Sequence, residues 1–166
     1  MPDSWQRLWA PHRLEYIRGE NRPLANNEIP CPFCRIPTLS DEEGLIVARG
    51  ESAYVVMNLY PYNAGHLLIS TYRHIADLPE LTEQERNEIV ELTAHAMKAL
   101  RKTSHPSGFN LGMNQGAASG AGIAEHIHQH VVPRWGGDAN FMAIIGNTKV
   151  LSQLLAQTRL DLATAW

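Results

Sequence analysis

The chain has 166 residues, 44% of them hydrophobic, with a formal net charge of −3. That length fits one globular domain with terminal extensions. The slight acidity argues against duplex nucleic acid as the main partner, and no apolar run is long enough to span a membrane. The start, MPDSWQRLWAPHRLEY, lacks a basic region followed by an apolar stretch, so no secretory signal is visible and the expected address is the cytoplasm.

Residues 1–29 read as an N-terminal extension. Trp5, Leu8 and Trp9 have the spacing of one helical face, and Pro11 ends that helix or opens the next, over His12–Ile17. Asn21–Ile29 is a loop. The chain's two cysteines, Cys31 and Cys34, follow in one CPFC knuckle. That is no disulfide framework, and Pro32, Phe33 and Pro37 do not fit a redox motif opening a helix. The C-x-x-C spacing suits zinc, which then needs two more donors; His74 and one end of the histidine row described below are available.

Leu45–Ala48 and Ala53–Met57 are short apolar runs separated by RGES, the signal of a hairpin. NLYPYNAG, Asn58–Gly65, is a loop, and His66–Ser70 a third strand. His66 points either into the site or to solvent. His74 and Asp77 lie in the connection that follows. Thr82 and Glu85 form a capping box opening a helix, with Ile89, Leu92, Ala96, Met97 and Leu100 on its apolar face, to about Lys102. His95 on that helix is expected to be exposed; His12 and His105 fall in loops and receive no role. Phe109–Met113 is a fourth strand, Ile127–Val132 a fifth, and a short strand is expected near Met142–Ile145. Val150, Leu151, Leu154, Leu155 and Leu162 mark a C-terminal amphipathic helix. The expected organisation is an extension over 1–29, one domain over 30–146, and a helix over 147–166 packed on it. Strands in meanders with a few helices give an α+β class.

The chemistry concentrates in Glu125–Trp135, EHIHQHVVPRW. Side chains at i, i+2 and i+4 of a strand share a face, so His126, His128 and His130 form a row. Two readings stay open. Three neutral imidazoles can hold a catalytic zinc. Alternatively one imidazole attacks phosphorus while its neighbours orient it and bind the oxygens. The second requires a fixed tautomer, because the hydrogen bond at one ring nitrogen decides which nitrogen is free. The upstream loop NQGAASGAG, Asn114–Gly122, favours phosphate, since small residues let successive N–H groups form an anion nest. No Gly-Lys-Ser/Thr closes it, so it is not a P-loop. Asn58 and Asn114 each end an apolar strand, where an amide can cap a turn or grip a ribose or phosphate oxygen.

At these residues the sequence resembles the histidine triad (HIT) superfamily of nucleotide hydrolases and transferases. His126-Ile-His-Gln-His-Val-Val fits its signature of alternating histidines followed by two apolar residues, with Gln129 where an apolar residue is usual. The likeness runs from about Cys31 to Trp135. It is strongest to an actinobacterial branch that includes diadenosine tetraphosphate phosphorylases, through LSDEEGLIVARG, NLYPYNAGHL, AEHIHQHVVPRWGGDANF and QRLWAPHRLEY.

The resemblance implies a HIT-like α+β fold. An antiparallel sheet of about five strands packs with a long helix and a C-terminal helix, usually as a homodimer. It implies cleavage of diadenosine polyphosphates, with His128 as the nucleophile and a nucleotidyl-histidine intermediate released by water or phosphate. His130 and His66 match supporting positions, Asn58 and Asn114 ribose- or phosphate-contacting ones, and Ser119, Gly120, Ala121 and Gly122 lie in the phosphate loop. Zinc-containing members use the positions of Cys31, Cys34, His74 and His126, so the zinc would be structural. Phosphorylases of that branch carry Gly-Ser where this chain has Ala121 and Gly122, a departure that bears on whether phosphate or water is the acceptor; Ser119 is the nearest hydroxyl. The rival activities are hydrolysis of nucleoside phosphoramidates and nucleotide binding with little turnover. A neutral imidazole suits the reaction, since it is not repelled by anionic phosphate oxygens and leaves well afterwards. No carboxylate cluster for Mg²⁺ stands near the motif.

Overall fold

A computed structural model describes residues 31–138 and 153–166. The readings made for 1–30 and for Met142–Ile145, Val150 and Leu151 lie outside the described residues. The class is α+β, as expected. Strands β1 (Ile46–Arg49), β2 (Ala53–Met57), β3 (Leu67–Thr71), β4 (Gly108–Met113) and β5 (His128–Arg134) form one sheet in the order β1-β2-β3-β5-β4. Every neighbouring pair is antiparallel.

Alternation of side chains gives the sheet two different faces. One face carries Val55, Leu67, Ile69 and Val131. It packs against helix α2 (Glu83–Ser104) through Ile89, Leu92, Ala96 and Leu100 in the main core. The opposite face carries Ile46, Tyr54, Val56 and Leu68, covered by Phe33 from the one-turn helix α1 (Pro32–Arg35). The register pairs Leu68 with His130 and Ser70 with His128, which puts both imidazoles on the face that α1 covers. Gln129 therefore looks toward the α2 side, where it lines a shallow groove with Leu81 and Ile89.

Helix α2 begins as the capping box requires. Thr82 Oγ1 accepts from the Glu85 N–H at 3.2 Å, and the Glu85 carboxylate accepts from the Thr82 N–H at 2.8 Å. The same carboxylate takes two bonds of 2.7 Å from Arg73, just beyond β3. At the hairpin tip the Glu88 carboxylate accepts from the Glu51 and Ser52 N–H groups. The helix closes on His105 in the left-handed conformation, φ 47°. Gly65 needs its φ of +73°, and a Cβ there would lie 2.9 Å from Leu100, so the turn that delivers His66 is closed to larger residues.

The C-terminal helix starts later than the leucine pattern suggests. Leu154 is extended and 81% exposed, and helix α3 runs from Leu155 to Ala165. Its buried face is Thr158, Arg159 and Leu162, with Leu155 packed against the core. Leu154 is out of phase with that face, whereas positions 155, 158, 159 and 162 share it. Among the described residues no helix is long and apolar enough to cross a membrane.

Glu85→Ala removes a buried carboxylate with four charge-assisted or capping bonds. It is expected to destabilise the fold by roughly 1.5–3 kcal/mol, read as a lower urea midpoint with an unchanged m-value.

Candidate active site and metal centre

The segment just before β5 is fixed by bonds from three directions. Ile127 N–H donates to the Ile75 carbonyl at 2.7 Å, Ser70 Oγ donates to the Ile127 carbonyl at 3.0 Å, and His126 Nε2 lies 2.9 Å from the Thr71 carbonyl. A carbonyl only accepts, so His126 Nε2 carries the hydrogen and Nδ1 carries the lone pair. His126 precedes the paired strand, and its ring leaves the row that strand spacing predicts. Nδ1 lies 3.4 Å from Cys31 Sγ and 3.6 Å from Cys34 Sγ, while His74 Nδ1 lies 3.3 Å from Cys34 Sγ.

The four donor atoms lie within 4.8 Å of one another. A tetrahedral zinc with ordinary bond lengths sets its ligand atoms about 3.3–3.8 Å apart, which the Cys31–His126, Cys34–His126 and Cys34–His74 pairs match. The His126–Thr71 bond is the outer-shell support that orients a metal-binding imidazole. Burial and the nearby Cys31 push the Cys34 thiol up, as expected of two thiols that need a cation between them to stay ionised together. The set can hold a metal ion. The other metal reading, three triad imidazoles around one ion, is not what the structure builds: His126 faces the cysteines, and among the described residues this is the one cluster suited to a metal.

His128 is buried, and its Nδ1 lies 2.8 Å from the backbone carbonyl of His126. By the same logic Nδ1 is protonated and Nε2 holds the lone pair. Burial lowers its pKa, partly offset by that carbonyl, so the ring stays neutral. Phe33 tilts over the ring at 4.7 Å between centroids.

A second chain of bonds fixes His130. The Tyr62 N–H donates to His66 Nδ1 at 3.0 Å, and the Asn58 amide lies 3.2 Å from the same nitrogen. With Nδ1 accepting, neutral His66 carries its hydrogen on Nε2, which lies 3.0 Å from His130 Nδ1. His130 Nδ1 accepts, so its own hydrogen sits on Nε2; Asn114 Nδ2 lies 3.5 Å from that nitrogen, and because two donors do not pair, the Asn114 amide accepts this hydrogen only with its oxygen and nitrogen exchanged. His66 is fully buried, and burial, followed by repulsion from His130 and His128, lowers its pKa to about 3. The two open orientations of His66 resolve into the site.

Four rings thus stand in sequence: Phe33 against His128, His128 edge-on to His130 at 5.1 Å, and Tyr62 parallel to His130 at 5.6 Å. No sequence motif assigns a role to Phe33 or Tyr62, although an aromatic between two knuckle cysteines is a usable signal. In the glycine-rich loop, Gly116 and Gly120 adopt positive φ around a turn at Ala117–Ser119, and Ala121 is buried. Ser119 Oγ donates to the Gly116 carbonyl at 2.7 Å, so its hydrogen is used inside the loop. Asn58 Oδ1 accepts from the Tyr60 N–H at 3.0 Å, which commits one side of that amide to its own turn. His95 is exposed, beside Trp166.

Comparison with known proteins agrees with this architecture. The model of the family described as HIT domain matches residues 41–137. A protein of Mycobacterium tuberculosis named AP-4-A phosphorylase is 50% identical over 167 residues, covering 99% of this chain and 86% of the relative. Among solved structures, a Zn-bound histidine triad family protein from Mycobacterium smegmatis superposes with a TM-score of 0.65 at 23% identity, over 82% of this chain and 92% of that one. A member of the HIT family from Bacillus subtilis gives 0.57 at 25% identity, over 66% and 76%.

The neutrality of His66 predicts a pH signature. Its folded pKa lies below the ordinary 6.5, so the unfolded chain binds the proton first. The native state is fully favoured above pH 6.5 and loses stability as pH falls toward 3. The contribution is up to about 1.4 kcal/mol per pH unit. Denaturant titrations between those limits should show a shallower slope for His66→Gln than for the wild type.

Proposed function

The chain belongs to the HIT domain family and is an enzyme of that family, and on this premise we propose that it cleaves diadenosine polyphosphates by nucleotidyl transfer through His128. The observation that carries the proposal is the 2.8 Å contact from His128 Nδ1 to the His126 carbonyl. It leaves a neutral, buried Nε2 lone pair as the attacking group.

With diadenosine tetraphosphate, His128 Nε2 attacks the α-phosphorus. A P–N bond forms, the P–O bond to the β-phosphate breaks, and ATP departs. The Nε2–H of His130, set by the Tyr62–His66 chain, donates a hydrogen bond to the oxygen that takes up charge. The N–H groups of the loop around Gly120, Ala121 and Gly122 bind the remaining phosphate oxygens, and Asn114 holds a ribose or phosphate oxygen. Asn58 keeps a lone pair for a ribose hydroxyl while it supports His66. In the second half, inorganic phosphate attacks the same phosphorus to give ADP, or water attacks to give AMP, and His128 leaves as neutral imidazole once its P–N bond breaks. The relative named AP-4-A phosphorylase supports phosphate as the acceptor.

The metal we assign to Cys31, Cys34, His74 and His126 is zinc, since two thiolates and two imidazoles suit a closed tetrahedral site. Cys31 and Cys34 at α1, His74 in the connection after β3 and His126 just before β5 would hold it, and it would supply a structural link among these three segments. As a homodimer, the expected assembly, the chain has a candidate seam in β4, which ends the sheet order and exposes Leu111.

Two outcomes are expected. His128→Ala should lose at least about 10³-fold in turnover of diadenosine tetraphosphate, and the wild type should form ADP plus ATP only when phosphate is present. AMP plus ATP would assign water as the acceptor, and turnover surviving in His128→Ala would sink the nucleophile. Protein purified without oxygen should contain about one zinc per chain, falling sharply in Cys31→Ser together with thermal stability; zero zinc in the wild type would remove the metal assignment.

A further inference from the structure

The loop between β2 and β3 combines a fixed backbone with outward-facing rings. Its main chain is tied into the site: Tyr60 N–H donates to Asn58 Oδ1 at 3.0 Å, and Tyr62 N–H donates to His66 at 3.0 Å. Its side chains face solvent, with Leu59 60%, Tyr60 75% and Tyr62 42% exposed. Three exposed apolar side chains in a stretch of four residues need a reason, since such surface is a liability unless something covers it. The position of the loop says what. Tyr62 lies parallel to His130, at 11° and 5.6 Å between centroids. In the nucleotidyl-transfer reading above, the His130 N–H meets the departing oxygen, and the loop that stacks on His130 then stands on the leaving-group side, at the opposite end of the ring series from Phe33.

We propose that Tyr60, continuous with Tyr62, is a stacking platform for the second nucleoside of a dinucleoside polyphosphate, the one that departs with the leaving phosphates. The inference rests on the nucleotidyl-transfer reading above and adds a specificity-determining residue to it. A base stacks on an aromatic ring whatever its hydrogen-bonding edge, so the platform selects for the presence of a second base and not for its identity. Because the loop is already anchored by Asn58 and His66, little ordering is lost when the base arrives.

The test compares two substrates with the same tetraphosphate chain: diadenosine tetraphosphate, with two nucleosides, and adenosine 5′-tetraphosphate, with one. Tyr60→Ser should lower kcat/KM for the first by about 5- to 150-fold and leave the second unchanged, while Tyr60→Phe restores the first. Equal loss on both substrates, or no loss on either, overturns the platform. So does a change in sedimentation mass in Tyr60→Ser, which would make the loop a subunit contact. If the wild type turns over neither substrate, the catalytic reading fails separately. Calorimetry with the same two ligands then decides the platform: a weaker Kd in Tyr60→Ser for the two-nucleoside ligand alone supports it, and parallel Kd values refute it.

Discussion

One residue, His126, is held to two tasks by one geometry, and the site depends on it. Its ring bonds the Thr71 carbonyl through Nε2 and turns Nδ1 to the cysteine knuckle. Its carbonyl accepts from His128 Nδ1. The peptide that follows is pinned by Ile75 and Ser70. None of these bonds can shift alone without moving the others. An imidazole in solution exchanges its two neutral tautomers freely, and one of them would present a hydrogen where the proposed attack on phosphorus requires a lone pair. The His126 carbonyl removes that choice, and the burial of His128 disfavours the charged form as well.

The sheet explains why the arrangement fits together. One face is spent on α2 and a conventional apolar core, so the other is available for polar side chains beneath a small cover. The register opposes Ser70 to His128 and Leu68 to His130, which gives the two histidines different floors. Tyr54 anchors the cover, its hydroxyl donating to the Phe33 carbonyl at 2.8 Å. The knuckle that gathers the metal donors is therefore the same element that lays a ring on His128. His66 extends the scheme to the far end, where a backbone N–H dictates one tautomer and a buried imidazole passes the instruction to His130.

Much of this was legible in the sequence because it is written in spacing. The alternation of His128 and His130 puts them on one face; C-x-x-C gives a knuckle; Thr82 and Glu85 give the helix start. What spacing could not carry depends on where a strand stops. His126 obeys the same alternation on paper, yet pairing begins at His128, so its ring is free to serve the cysteines. Gln129, odd for a position usually apolar, faces the groove beside α2 and not the histidine site. Leu154 looked like part of a helical stripe, but the helix phase is set by Thr158, Arg159 and Leu162, and it falls outside. Phe33 and Tyr62 were hidden for another reason. Their roles are ring contacts between residues distant in sequence, and no local period announces those.

The central claim is that the protein holds His128 neutral, with hydrogen on Nδ1 and a lone pair on Nε2. Long-range ¹H–¹⁵N correlation spectra of the imidazoles, assigned with His128→Gln, read this directly at neutral pH. His128 is expected to show a pyrrole-like Nδ1 and a pyridine-like Nε2. The reverse pattern, or a doubly protonated ring, would contradict the claim.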